Sequence, residues 1–268
     1  MSSLTWSVET GDARYVAKSV AAGNYRSQFT NGLAAAARLS AAGISAGAPV
    51  PTRDSELTVL ADGQAIALMA WVEGTPVAEY TPEGMAVVGR TLARAHLALG
   101  TVPCGTRPEP HLDPDADRLG IRPWIRPAIA QARADLDELD VASLTWGPLH
   151  GDPAAEDFLL REDGGCGLID WGAYLVGPRA FDLASAVMYA DGSTSARPLV
   201  DAYIAEGALT EAEVALALEP MLRWRWASQA YYFAWRIATN NMIGIADASE
   251  NEKGLADART GLGVDGAV

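Results

Sequence analysis

The chain has 268 residues and a net charge of -14, with 49% hydrophobic and 20% charged residues. That length supports one large domain or two lobes around a good core, and the acidic balance argues against nucleic-acid or anionic-membrane partners, which need basic patches. No apolar run reaches about 18 residues, so no membrane span is expected. The start, MSSLTWSVETGD, has neither the basic region nor the apolar region of a secretory signal. Cys104 and Cys166 lack metal-ligand spacing and read as reduced thiols of a cytoplasmic protein.

LTWSVE and ARYVAKSV read as two strands around the turn Thr10-Gly11-Asp12. FTNGLAAAARLSAAG (29–43) is Ala-rich and closes on Gly43, a helix with its stop signal. ELTVLADGQAIALMAWVEG (56–74) reads as two strands turning at Ala61-Asp62-Gly63. These elements make a small, mostly β lobe with one helix, followed by a linker near 70–75.

After Gly74 the pattern becomes helical. PEGMAVVGRTLARAHLAL (82–99) and PWIRPAIAQARADLDEL (123–139) are helices, separated by a Pro-, Gly- and Asp-rich loop. FLLREDGGCGLIDW (158–171) reads as a hairpin, AFDLASAVMYA (180–190) as a helix, and 210–242 as two helices broken near Pro220. The tail, 246–268, is polar and Gly-rich and is expected to be mobile at its end. The fold class is α+β, with a small β-rich lobe and a larger, mainly helical one; a cleft between lobes is a usual ligand site.

Charge is unevenly spread. Residues 1–75 carry five basic and six acidic side chains, leaving -13 on the rest. That surface suits a cationic partner, or simply solubility. Lys18 and Lys253 are the two lysines against eighteen arginines, so a lysine inside the apolar run RYVAKSV is notable as a compact point charge.

TWGPLHGDPAAEDFLL (145–160) carries the main chemical signal. His150-Gly151-Asp152 lies on a loop, Asp157 follows, and the hairpin returns the chain at LIDWG with Asp170. Three carboxylates brought together repel unless cations sit among them, and an oxygen-only set suits Mg²⁺ better than zinc.

These residues, with RYVAK, ALMAWVEGTPV, LARAHLAL and DWGAYLVGPRAFDLA in that order, resemble the aminoglycoside phosphotransferase and choline kinase-like family, which has a two-lobed protein-kinase-like fold. The resemblance covers nearly the whole chain. It implies transfer of the γ-phosphate of ATP or GTP, with Mg²⁺, to a hydroxyl of a small acceptor. Residues 1–73 would form a nucleotide-binding lobe and 74–268 a catalytic and substrate-binding lobe. Asp152 would accept the proton of the attacking hydroxyl or orient it, Asp170 and Asp157 would hold the metal, and Lys18 would neutralise the α/β-phosphates. The backbone from Met69 through Ala70 and Trp71 to Val72 would meet the purine edge. His150 and Asp182 would brace the catalytic loop, and His96 reads as a core histidine.

Three features depart from the family pattern. Asp157 stands where the family has Asn. No Asp or Glu occurs from residue 13 to 53, and Gly32 stands about where a helix Glu should pair with Lys18. Only three residues precede the first strand, where the family has an earlier strand and a phosphate loop; Ser2-Ser3 reads as a remnant of that loop, and either the natural start lies upstream or the phosphates are poorly covered.

The acceptor is expected to be cationic, such as an aminoglycoside. Trp224, Tyr231 and Trp235 share one helical face; by the resemblance they would cage an amine by cation–π contact, and otherwise they are a core stripe. Glu156 could meet an ammonium group or simply face solvent. Expected partners are a small amine-bearing molecule, with neither nucleic acid nor membrane, in a monomer or weak dimer. A catalytically impaired kinase-like binding or regulatory protein is the alternative, and a metal-dependent phosphate-ester hydrolase a third.

Overall fold

Alternating side chains in the first strands build an antiparallel hairpin, β1 (Ser3–Glu9) and β2 (Arg14–Ala21), that pairs Thr5 with Lys18. β3 (Val59–Ala61) and β4 (Gln64–Ala70) follow, joined by Asp62 and Gly63, both at positive φ, as a twist-matched two-residue turn requires. The sheet order is β1-β2-β4-β3. The computed structural model describes residues 3–23, 25–77, 81–105, 112–190 and 195–264.

Helix α1 (Arg26–Ala41) lies between the two parts of the molecule. Phe29 and Leu33 pack with Val20, Ala65 and Ala67 of the sheet. One to two turns later, Ala35, Ala36 and Leu39 belong to the large core of the helical part. Small alanines let this helix approach its neighbours closely on both sides.

The short strand β5 (Thr75–Pro76) leads into α2 (Pro82–Leu99), which Thr81 caps by accepting from the Gly84 N–H. α3 (Ile125–Asp137), α4 (Arg179–Tyr189), α5 (Arg197–Ala205), α6 (Glu211–Ala238) and α7 (Ser249–Gly261) complete the helices. Two small sheets sit beneath the cleft: β6 (Trp146–Leu149) with β9 (Leu175–Pro178), and β7 (Phe158–Leu160) between β5 and β8 (Cys166–Leu168). Cys104 and Cys166 are free thiols. Among the described residues no helix is long and apolar enough to cross a membrane.

One expectation needs correction. Pro220 does not break the long helix: α6 runs continuously from Glu211 to Ala238. Proline removes one helical hydrogen bond and costs about 3 kcal/mol. Burial of Ala217, Met221, Leu222 and Trp224 on both sides of it offsets that cost. The polar tail also forms α7, which the low hydrophobicity concealed. It docks through Asn251, Gly254, Leu255 and Ala258, and a Cβ on Gly254 would lie 2.2 Å from the Phe233 ring. Buried Arg236 ties the two helices, donating to Asn251 Oδ1 at 2.7 Å. Residues 265–268, Ser2 and His111 lie outside the described residues.

Candidate active site

β6 ends at Leu149, and the next three residues form a loop fixed from beneath. The Asp182 carboxylate, fully buried in the first turn of α4, accepts from the backbone N–H of His150 at 2.6 Å and of Gly151 at 2.9 Å. It also accepts from His96 Nε2 at 3.0 Å. Burial holds the His96 ring below its ordinary pKa, against the pull of Asp182, so a neutral ring donates to Asp182 and accepts at Nδ1 from the Tyr203 hydroxyl at 2.6 Å. Gly151 has φ +89°, and a Cβ there would lie 2.1 Å from the Ala173 carbonyl oxygen. Any other residue would push the loop off its neighbour.

His150 is fully buried and donates from Nε2 to the Ile169 carbonyl at 2.7 Å, with its ring edge-on to Trp171. It therefore ties the Asp152 loop to the Asp170 loop. Asp170 takes the left-handed conformation, φ 63°, and caps a short turn over Trp171–Ala173. A non-glycine residue there carries backbone strain of the kind found at functional sites.

Lys18, on β2, is buried and ion-paired with Asp170 Oδ1. Burial pushes the Asp170 carboxyl up, but the Lys18 ammonium outweighs it, and the net position is below the usual range. Among the described residues no helix carboxylate pairs with Lys18. At Gly32 of α1, a Cβ would lie 1.9 Å from the Trp171 carbonyl oxygen, so the turn after Asp170 occupies the space a side chain would need. Asp157 ends the short 3-10 turn Ala155–Asp157, with its carbonyl accepting from the Ile169 N–H at 2.9 Å. Burial, then the charges of Asp170, Asp152 and Glu156, push its carboxyl up to about 9.

Lys18, Asp152, Asp157 and Asp170 line one small cavity of about 110 Å³. Among the described residues no group of three His, Cys, Asp or Glu is spaced to cage a metal by itself. The donor set is oxygen only, and burial with three neighbouring carboxylates raises the Asp157 carboxyl, a crowding that a bound cation would relieve. These residues fit a hard divalent ion that completes its shell with phosphate oxygens and water.

This small cavity sits where two larger ones meet. Toward the sheet lies an apolar cavity of about 360 Å³ between the lobes, lined by Val16, Met69, Ala70, Trp71, Val72 and Ile169 among others. Trp71 and Val72 make no backbone–backbone hydrogen bond among the described residues, so their amide edges are available to a planar heterocycle. The Trp71 ring itself is covered by the Arg14 guanidinium, 3.8 Å from its centroid. Toward the helices lies a cavity of about 890 Å³ that Asp152, Tyr189, Arg225, Tyr231 and Trp235 help to line.

Asp152 is held by two residues that sequence reasoning missed. Its Oδ1 accepts from the Tyr189 hydroxyl and from Arg225 Nη2, each at 2.5 Å. Arg225 also donates to Ser185 Oγ at 3.1 Å. Both partners hold the same oxygen, and Oδ2 accepts no hydrogen bond among the described residues. The signals were faint: an arginine between Trp224 and Trp226, and a tyrosine closing a helix.

The expected substrate residues separate. Tyr231 and Trp235 line the large cavity. Trp224 does not: it is 1% exposed, packed in the core with Arg133 over its ring at 5.2 Å. Glu156 lines the apolar cavity between the lobes rather than the large one. Nor is the large cavity acidic like the chain as a whole. Among the described residues its charged lining is Asp152, Glu250 and Asp257 against Arg118, Arg225 and Lys253.

The sequence model of a family described as "Phosphotransferase enzyme family" matches residues 1–218. A homoserine kinase of Phenylobacterium zucineum (strain HLK1) is 30% identical over 192 residues, which is 65% of this chain and 59% of that protein. The chain thus spans less than two thirds of that relative's length. Among solved structures, the amicoumacin kinase hAmiN in complex with AMP-PNP, Ca²⁺ and Ami superposes with a TM-score of 0.69 at 15% identity, covering 98% of this chain and 88% of that one. A microcompartment-associated aminopropanol kinase gives 0.68 at 17% identity, covering 96% and 86%. At such identities these structures show a common fold, two-lobed and α+β.

Proposed function

The chain belongs to the phosphotransferase enzyme family, and from that premise we propose that it moves the γ-phosphoryl group of ATP or GTP to a hydroxyl of a small polar molecule. The observation that supports this most is the meeting of Lys18, Asp152, Asp157 and Asp170 around one small cavity, between an apolar cleft and a wide polar one. The purine would lie against Met69–Val72, and the acceptor in the large cavity beside Asp152.

Phosphoryl transfer rests on alignment and charge placement. Tyr189 and Arg225 hold one oxygen of Asp152, leaving the other to orient the acceptor hydroxyl and take its proton. Lys18, paired with Asp170 in the structure described, would turn to the phosphates as the nucleotide enters. A divalent cation held by Asp157 and Asp170 would neutralise the triphosphate, and Asp157 would release its proton to bind it. Asp182 and Gly151 keep the loop rigid through the reaction.

For the acceptor, a polycationic aminoglycoside is the less supported choice, since the large cavity is charge-balanced. A small amine-bearing alcohol is better supported, and the homoserine kinase relative points to a hydroxy amino acid. The test is transfer of labelled γ-phosphate from ATP and GTP, with Mg²⁺, to homoserine, 3-aminopropan-1-ol, choline and kanamycin. A labelled product absent from the Asp152→Ala protein is expected. Nucleotide binding without transfer to any acceptor would favour a binding or regulatory role instead.

A further inference from the structure

The ionisable groups lining the large cavity do not all pair with one another. Arg225 is bound to Asp152, and Lys253 donates to Asp257 at 2.8 Å. That leaves one cation and one anion. Arg118, on the 3-10 turn Asp117–Ile121, has no carboxylate partner among the described residues. Its guanidinium stacks on Tyr231, 4.4 Å from the ring centroid, and donates Nη2 to the Tyr231 hydroxyl. Its Nε is buried with no hydrogen-bond partner. Glu250, in the first turn of α7, accepts from the Ala246 N–H at 2.7 Å and meets no cationic side chain among the described residues. Both line the same cavity as Asp152.

An arginine stacked on an aromatic ring is held in place, with its remaining N–H donors free to meet a planar anion in two-point contact. A polycation would find the guanidinium repulsive and only one free carboxylate. A molecule with one carboxylate and one ammonium group matches the two unpaired charges.

Building on the proposed phosphotransfer, we infer that the acceptor is a zwitterionic hydroxy amino acid, its carboxylate held by Arg118 and its ammonium by Glu250. Arg118 thereby sets selectivity without touching the reacting atoms.

Matched acceptors that differ only by the carboxylate test this. 2-Amino-4-hydroxybutanoate is compared with 3-aminopropan-1-ol, and threonine with 1-aminopropan-2-ol, in wild type, Arg118→Gln and Arg118→Lys. At least one amino acid should exceed its amino alcohol about 10- to 100-fold in kcat/KM, the worth of a hydrogen-bonded charge pair. Arg118→Gln should remove that preference by lowering turnover of the amino acid alone, and Arg118→Lys should restore part of it. Retained turnover of the amino alcohol shows that each variant is folded. Equal kcat/KM within both pairs, or a preference unchanged in Arg118→Gln, would overturn the inference while leaving the phosphotransferase reading intact. Calorimetry on the nucleotide-loaded protein covers the other branch. Binding of an amino acid that depends on Arg118, with no phosphate transferred, would uphold the site and sink the kinase reading. No Arg118-dependent binding of either amino acid would overturn the site.

Discussion

Gly32 and Trp171 are in backbone contact: a Cβ at Gly32 would lie 1.9 Å from the Trp171 carbonyl oxygen. Helix α1 is thus pressed onto the turn that presents Asp170, and Lys18 finds its counter-charge in Asp170 itself. The absent helix glutamate is a packing requirement of this chain.

Restoring that glutamate should therefore harm the protein. Gly32→Glu is expected to destabilise by about 3 kcal/mol, because backbone rather than a flexible side chain must yield. Gly32→Ala should cost less but act in the same direction. Urea unfolding with an unchanged m-value would measure this; a stable, more active Gly32→Glu protein would refute the packing account.

Asp152→Asn should lower kcat by about 10²- to 10⁴-fold, the usual worth of a positioned proton acceptor. The effect on nucleotide affinity should be smaller, since Asp152 borders the small cavity of Lys18, Asp157 and Asp170 but not the apolar one proposed for the purine. Titration calorimetry beside steady-state rates separates the two effects. Wild-type turnover in this variant would remove Asp152 from the mechanism.

Arg225→Met should misplace Asp152 rather than remove it. Tyr189 still holds Oδ1, but the guanidinium bridge from Ser185 to Asp152 is lost. A kcat lower by about 10- to 100-fold is expected, with the KM for nucleotide unchanged. A rise in nucleotide KM alone would place Arg225 in a different role.

The Asp157 carboxyl makes folding sensitive to pH. Its folded pKa, about 9, lies above the ordinary value of 3.8, so the folded state holds a proton that the unfolded chain gives up. The resulting stability is complete below about pH 4 and is lost as pH rises toward 9. Asp170, lowered by Lys18, acts with the opposite sign, losing its contribution as the pH falls. Urea midpoints of wild type and Asp157→Asn, without nucleotide or metal, should differ least near pH 4 and diverge as the pH rises toward 9, with wild type losing stability and Asp157→Asn not. Parallel curves from pH 5 to 9 would show that Asp157 ionises normally.

The hairpins were legible because strand alternation and Gly- and Asp-containing turns are local signals, and α2 was legible from Pro82 to Leu99 because its periodicity and its starting proline lie within it. The order of Lys18, His150-Gly151-Asp152, Asp157 and Asp170 was likewise readable. Helix α7 was not, because its docking relies on glycines against aromatic rings rather than on an apolar stripe. The net charge does not identify the acceptor, since a sum of -14 does not say which charges face one cavity.

By itself, then, the sequence determined the fold class, the local turns and the chemical types available for the reaction, all of which follow from short-range pattern. Only the tertiary structure decided which charges meet. Lys18 reaches Asp170 across 152 positions and Arg225 reaches Asp152 across 73, while Arg118 and Glu250 face the same cavity without side-chain counter-charges among the described residues. Coulomb energy depends on separation and burial, and both are set by how the helices pack, not by spacing along the chain.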